Sequence, residues 1–185
     1  MKNSNDPLLD EIVSFLRQKE QDKNDNMFIP REKVNEWMQS DDIEVLGAVF
    51  FLLTDRRYYS YIKPFFSVED YHCFVRRYYE RCFLENPDGE WSDSRYSAGW
   101  SLVSWFIGLW NDPKVPRWIL DDIKKWLAQL YKNGHEELRI CIETATLEHL
   151  LERRDMVKYF ADWKSDPVLK MAYAKAMEWS INQQS

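Results

Sequence analysis

Apolar residues in this chain recur at intervals of three and four positions. Leu8, Ile12, Phe15 and Leu16 form one such stripe, and Ile119, Ile123, Trp126, Leu127 and Leu130 another, as expected of helices that bury one face. Between the stripes stand residues that start and stop helices. Asp6-Pro7, Asp112-Pro113 and Asp166-Pro167 each place a capping carboxylate before a residue suited to a first turn. Ser67 before Glu69 and Asp70, Ser40 before Asp41 and Asp42, and Ser92 before Asp93 offer similar starts, and Asn133-Gly134 reads as a stop. These marks predict helices near 7–20, 31–39, 42–54, 68–84, 93–110, 116–132, 135–152, 155–163 and 167–182.

Almost every connection between these segments is short, which makes neighbouring helices antiparallel. The predicted fold is therefore all-α. It is read as a two-layer array of antiparallel helical hairpins, a degenerate stack of the HEAT or armadillo kind, with an irregular helical bundle as the alternative. Helix pairs recur loosely, about every forty residues, without consensus residues that would name a repeat. A length of 185 residues fits one helical domain spanning 1–185. Only five Gly and seven Pro are present, too few for the turns of an all-β sandwich.

Three segments are apolar on more than one side. Ile43 to Leu53 reads as a buried helix. In 93–110, Trp100, Leu102, Val103, Trp105, Phe106, Ile107, Leu109 and Trp110 cover most of the circumference, so this segment is predicted to be central and buried on nearly every side. The segment 135–152 is similar, and Trp100, Trp105, Ile107, Leu138, Ile142 and Leu147 are expected in one continuous core. Trp91, in the turn-rich stretch from Glu85 to Asp93, is the tryptophan expected to be exposed.

Charge narrows the partners. With 25 Lys and Arg against 31 Asp and Glu, the net charge is -6, which gives no general attraction to a nucleic-acid backbone. No apolar run approaches the roughly 20 residues of a membrane span. The polar start, Met1 to Asp10, lacks the basic and apolar parts of a secretory signal. Cys73, Cys82 and Cys141 are an odd number without CxxC spacing, which suits neither a disulfide framework nor a zinc site. No membrane association is expected, and a reduced, cytoplasmic setting is.

Catalytic patterns are missing. His72, His135 and His149 have no HExxH spacing, and His149 falls near the stripe of Leu138, Ile142 and Ala145, where a packed ring is expected. His72 adjoins Cys73, but neighbouring residues on a helix point in different directions, so no nucleophile pair is expected there. The five glycines make no phosphate loop, GxGxxG or GxSxG. The reading is of a protein that is not an enzyme and has no cofactor or metal. Two acid-rich, base-poor places stand out instead. One is the loop with Glu85, Asp88, Glu90 and Asp93 around Trp91; the other is the helix carrying Glu143, Glu148 and Glu152. Both are candidates for receiving a basic partner; for the helix the plainer reading is a solvated face paired with Arg153 or Arg154.

The segments Leu127-Ala128-Gln129-Leu130-Tyr131-Lys132-Asn133-Gly134 and Ile142-Glu143-Thr144-Ala145-Thr146-Leu147-Glu148-His149 resemble part of small all-helical bacterial immunity proteins. Those proteins tend to carry glycine after the Glu-Thr pair, where this chain has Ala145. The resemblance implies a protein that binds and blocks a cognate toxin made by the same cell, often a nuclease with a basic cleft. An acidic, rigid helical protein suits that task independently, because it can occupy a cationic groove in place of phosphate. The competing expectations are a helical adaptor with a peptide-binding groove, and a helical enzyme without a recognisable motif.

Overall fold

The computed structural model describes residues 6–21 and 28–182, and residues 1–5 of the polar start lie outside that range. The described chain is almost entirely helical. It divides into two compact units, Met1–Ser94 and Arg95–Ser185, where length alone predicts a single domain.

In the first unit, α1 spans Pro7–Gln21, α2 Arg31–Trp37, α3 Ile43–Thr54, α4 Arg56–Tyr59 and α5 Val68–Glu85. The central element is α3, which packs against α1, α2, α4 and α5. Its Val45, Leu46, Ala48, Val49 and Leu52 have no exposed surface, which explains why Ile43 to Leu53 is apolar all round. Capping is as the side-chain chemistry directs. Asp42 accepts from the backbone N–H groups of Glu44 and Val45 at 2.8 and 3.4 Å, and Asp70 accepts from the Ser67 backbone N–H at 2.7 Å. Helical patterning did not predict one feature, a short parallel pairing of β1 (Ile29–Pro30) with β2 (Ile62–Lys63). Two residues per strand are too few to show a period.

The second unit contains α6 (Arg95–Asn111), α7 (Arg117–Asn133), α8 (Glu136–Cys141), a π-helical segment (Ile142–Leu147), α9 (Glu148–Leu151), α10 (Arg154–Tyr159), a 3-10 turn (Ala161–Ser165) and α11 (Leu169–Asn182). Asp166 caps α11 by accepting from Val168 and Leu169 at 2.9 and 3.0 Å. Asp112 instead holds a turn through the Lys114 N–H at 2.9 Å, and α7 begins after Pro116. Two expectations need correction here. The helix read as buried on nearly every side buries only one, through Ala98, Leu102, Phe106 and Leu109, while Trp100 is 53% exposed and Trp105 and Ile107 are half-buried. Apolarity around a whole helix does not require burial around it. The 135–152 segment is also not one α-helix, because its middle is wound as a π turn that packs on α6 and α11.

Close packing at that turn depends on Gly99. A Cβ there would lie 2.7 Å from the Ala145 Cβ, so α6 supplies the small residue and the π segment the methyl group. Leu138, Ile142 and Leu147 are fully buried, as patterning predicts. Farther along, Asp155 accepts from Trp110 Nε1 at 2.9 Å and from Arg153, joining α6 to α10.

Two measurements follow from this packing. Leu147→Ala should cost roughly 2–5 kcal/mol of unfolding free energy in urea, and a loss under about 0.5 kcal/mol would place Leu147 outside the core. The Arg153 guanidinium, aided by the Trp110 N–H, holds the Asp155 carboxyl down at about 2. Since the folded value lies below the ordinary one of 3.8, the stabilisation is complete above that ordinary value and is lost as pH falls towards 2. An Asp155 carboxyl signal that titrates by NMR at its ordinary value would contradict the arrangement.

Candidate functional site

The loop that follows α5 gets its shape from a residue far away in sequence. At the end of α5, Asn86 adopts a left-handed conformation with φ 49°, which asparagine tolerates, and the chain leaves the helix. The Glu44 carboxylate, at the start of α3, then accepts from the backbone N–H groups of Glu90, Trp91 and Ser92 at 2.8, 3.0 and 3.1 Å, and from the Ser92 hydroxyl. One charged side chain thus satisfies three successive amides, using hydrogen bonds stronger than neutral ones. The Tyr78 hydroxyl closes the far end, accepting from the Asp93 N–H at 2.9 Å. Burial pushes the Tyr78 phenol well above its ordinary value, and the nearby Cys82 and Asp93 add to the rise, so it stays a neutral hydroxyl.

Gly47 makes this approach of loop to helix possible. A Cβ at Gly47 would sit 2.2 Å from the Trp91 carbonyl oxygen and 2.5 Å from its carbon. The Trp91 ring meets Phe51 edge-on with centroids 5.8 Å apart and is half-buried. Trp91 was expected to be exposed; it is instead a wedge between the loop and α3, held by its own backbone contacts.

The predicted acids of the loop therefore play different parts. Asp88 and Glu90 are exposed, and Glu44 holds the Glu90 amide. Glu85 is exposed but paired with Arg81, whose guanidinium meets it at 2.6 and 3.0 Å and also donates to the Asp41 carbonyl. Asp93 is half-buried. Glu44, which holds the amides of Glu90, Trp91 and Ser92, is not among the predicted site residues. Its only sequence signal is its place beside the capping Asp42, and an acid in a helix's first turn is ordinary.

The helix acids are a correction. Glu143 is 3% exposed and Glu148 4%, so neither presents a free face to a basic partner. Glu143 accepts from the Tyr131 hydroxyl at 2.6 Å and from Lys175 Nζ at 3.1 and 3.2 Å. Burial, and then the bond to Glu143, raises the Tyr131 phenol well above its ordinary range. This linkage of α7, the π segment and α11 answers what a buried carboxylate requires. Glu152 is exposed and accepts from His149 Nδ1 at 3.0 Å. His149, expected in the packed stripe, is instead partly exposed at the rim.

A cleft of about 390 Å³ in the second unit is lined by Asp121, Lys124, Asp162, Trp163 and Asp166 among others. Its polar groups largely satisfy one another. Asp121 accepts from the Tyr159 hydroxyl at 2.6 Å, Lys124 pairs with Asp162, and Lys132 pairs with Asp166. No group of His, Cys, Asp and Glu among the described residues could hold a metal ion, and no described helix is long and apolar enough to cross a membrane. Compared with known protein families, curated proteins and solved structures, the chain matches none.

Two substitutions test how the loop is built. Gly47→Ala removes about 1 kcal/mol of helix-propensity penalty, but overpacking against a backbone carbonyl costs about 1–3 kcal/mol, so the net change should be a loss. Glu44→Gln keeps the shape but leaves one acceptor oxygen for several donors. It should cost about 1.5–3 kcal/mol and speed hydrogen exchange at the amides of Glu90, Trp91 and Ser92. Unchanged exchange would mean Glu44 does not hold the loop.

Proposed function

We propose that the chain is a protein-binding module that uses the Glu85–Asp93 loop to occupy a basic surface on its partner. The observation that carries this reading is the Glu44 clamp. It fixes the backbone at Glu90, Trp91 and Ser92, two residues beyond Asp88, so the exposed end of the loop meets a partner already ordered and less entropy is lost on binding. A loop held by an internal carboxylate is also costly to build for solubility alone.

The resemblance to helical bacterial immunity proteins supplies the kind of partner: a toxin, such as a nuclease, whose cleft is lined with basic groups. Mechanistically this is occlusion. Exposed carboxylates steer the encounter and stand where substrate phosphates would lie. The buried Glu143 and Glu148 have no part in it; Glu143 instead links elements of the second unit through Tyr131 and Lys175. A second reading is favoured by Tyr96 and Trp100, which are 44% and 53% exposed one turn apart on α6. Such a pair suits an adaptor that docks an apolar segment.

The test uses the partner recovered with this chain by pull-down, with association and dissociation followed at two salt concentrations. Asp88→Asn with Glu90→Gln should slow association several-fold and flatten its salt dependence, with less than about 1 kcal/mol change in stability. Glu152→Gln, the exposed helix acid, should alter neither rate. If the loop substitutions leave both rates unchanged while Trp100→Ala weakens binding, the contact is apolar and the loop reading fails.

A further inference from the structure

In α5, Cys73 and His72 form a pair that their adjacency in sequence argued against. Cys73 Sγ lies 3.3 Å from His72 Nε2. The other ring nitrogen, Nδ1, lies 3.1 Å from the Glu69 carbonyl oxygen. A carbonyl can only accept, so Nδ1 carries the proton, and in the neutral ring Nε2 is left with a lone pair facing the thiol. The imidazole is 5% exposed, which holds its orientation, whereas the thiol it faces is exposed. A nucleophile, its base and a group that orients the base are all present.

The other two thiols show the contrast. Cys82 and Cys141 are buried, and burial pushes each up to about 12, so neither is a nucleophile near neutral pH. Cys73 alone of the three combines exposure with a base.

We propose that Cys73 is a thiol–disulfide exchange site, with His72 as its base, that takes low-molecular-weight disulfides of the kind cells use as thiol buffers. The Cys73 S–H proton passes to His72 Nε2, and the thiolate attacks one sulfur of the incoming disulfide. The new Sγ–S bond forms as the old S–S bond breaks, and the departing thiolate takes the proton back from the imidazolium. One mixed disulfide and one free thiol result. The number of disulfide bonds is unchanged, so no further oxidant is needed. The modification adds a bulky group on an exposed face of the first unit.

The experiment follows release of pyridinethione from the neutral dithiodipyridine reagent under native conditions near neutral pH. The folded chain should show one fast thiol, absent in Cys73→Ser. That thiol should react faster, per sulfur, than those of the same chain unfolded in urea, and His72→Gln should slow it by roughly tenfold or more. A His72→Gln protein that is folded by circular dichroism and reacts at the native rate would overturn the proposal. If that variant does not fold, the native-against-unfolded comparison decides alone, because a packed but unactivated thiol reacts no faster folded than unfolded. Mass spectrometry after mild exchange with glutathione disulfide should place the adduct on Cys73, and adducts distributed over all three cysteines would equally overturn it.

Discussion

A carboxylate in the first turn of a helix usually does little beyond complementing the helix dipole. Glu44 does more, because three amides and a hydroxyl of the loop converge on its two oxygens. Without that anion, the stretch from Asn86 to Asp93 would carry successive unpaired donors next to α3, with the half-buried Trp91 in their midst. Three features depend on this contact: the absence of a side chain at Gly47, the edge-on meeting of Trp91 with Phe51, and the link from Tyr78 to the Asp93 amide. The negative charge that shapes the loop is satisfied inside it. The charges that a partner would meet, on Asp88 and Glu90, are separate.

The second unit uses a buried carboxylate differently. Glu143 sits in a π turn, and that winding sets its direction along with those of Thr144 and Thr146. Thr144 returns a hydrogen bond to the Ile140 carbonyl at 2.9 Å, a back-bond that competes with regular helix geometry. The carboxylate meets Tyr131 from α7 and Lys175 from α11, so three helical elements share one polar contact within an apolar surround. Lys175 keeps half its side chain in water, which lowers the desolvation cost of the pair.

The sequence made the helices legible because their signals are local. Stripes at 8–16 and 119–130 and the caps at Asp42, Ser67 and Asp166 act within one turn of where they stand. What could not be read depended on contacts between distant positions. Glu44 meets residues 46 to 48 positions later, and nothing near it marks it apart from any other first-turn acid. Trp100 was misplaced because an apolar count around α6 cannot tell which side faces the protein. Glu143 reads as a surface acid because an acid-rich, base-poor helix needs water or a partner for its carboxylates, and the partners that allow its burial, Tyr131 and Lys175, stand on other elements. The His72 and Cys73 pair was discounted from Cα directions alone, whereas a long imidazole and a thiol can bend towards each other around the helix.

The π turn also bears on how this chain and any descendants should be compared. Such a turn holds one residue more than an α turn covering the same rise, so Ile142–Leu147 is a place where the polypeptide can change length by one without moving the helices on either side. Removing a residue there would let α8 and α9 run together as ordinary helix, while the side chains in between would be dealt to new faces. Relatives could then differ by a single gap at this point and keep the same backbone path. The inward carboxylate would be the casualty, and a Tyr131 or Lys175 left without it would be the trace of such an event in a related sequence.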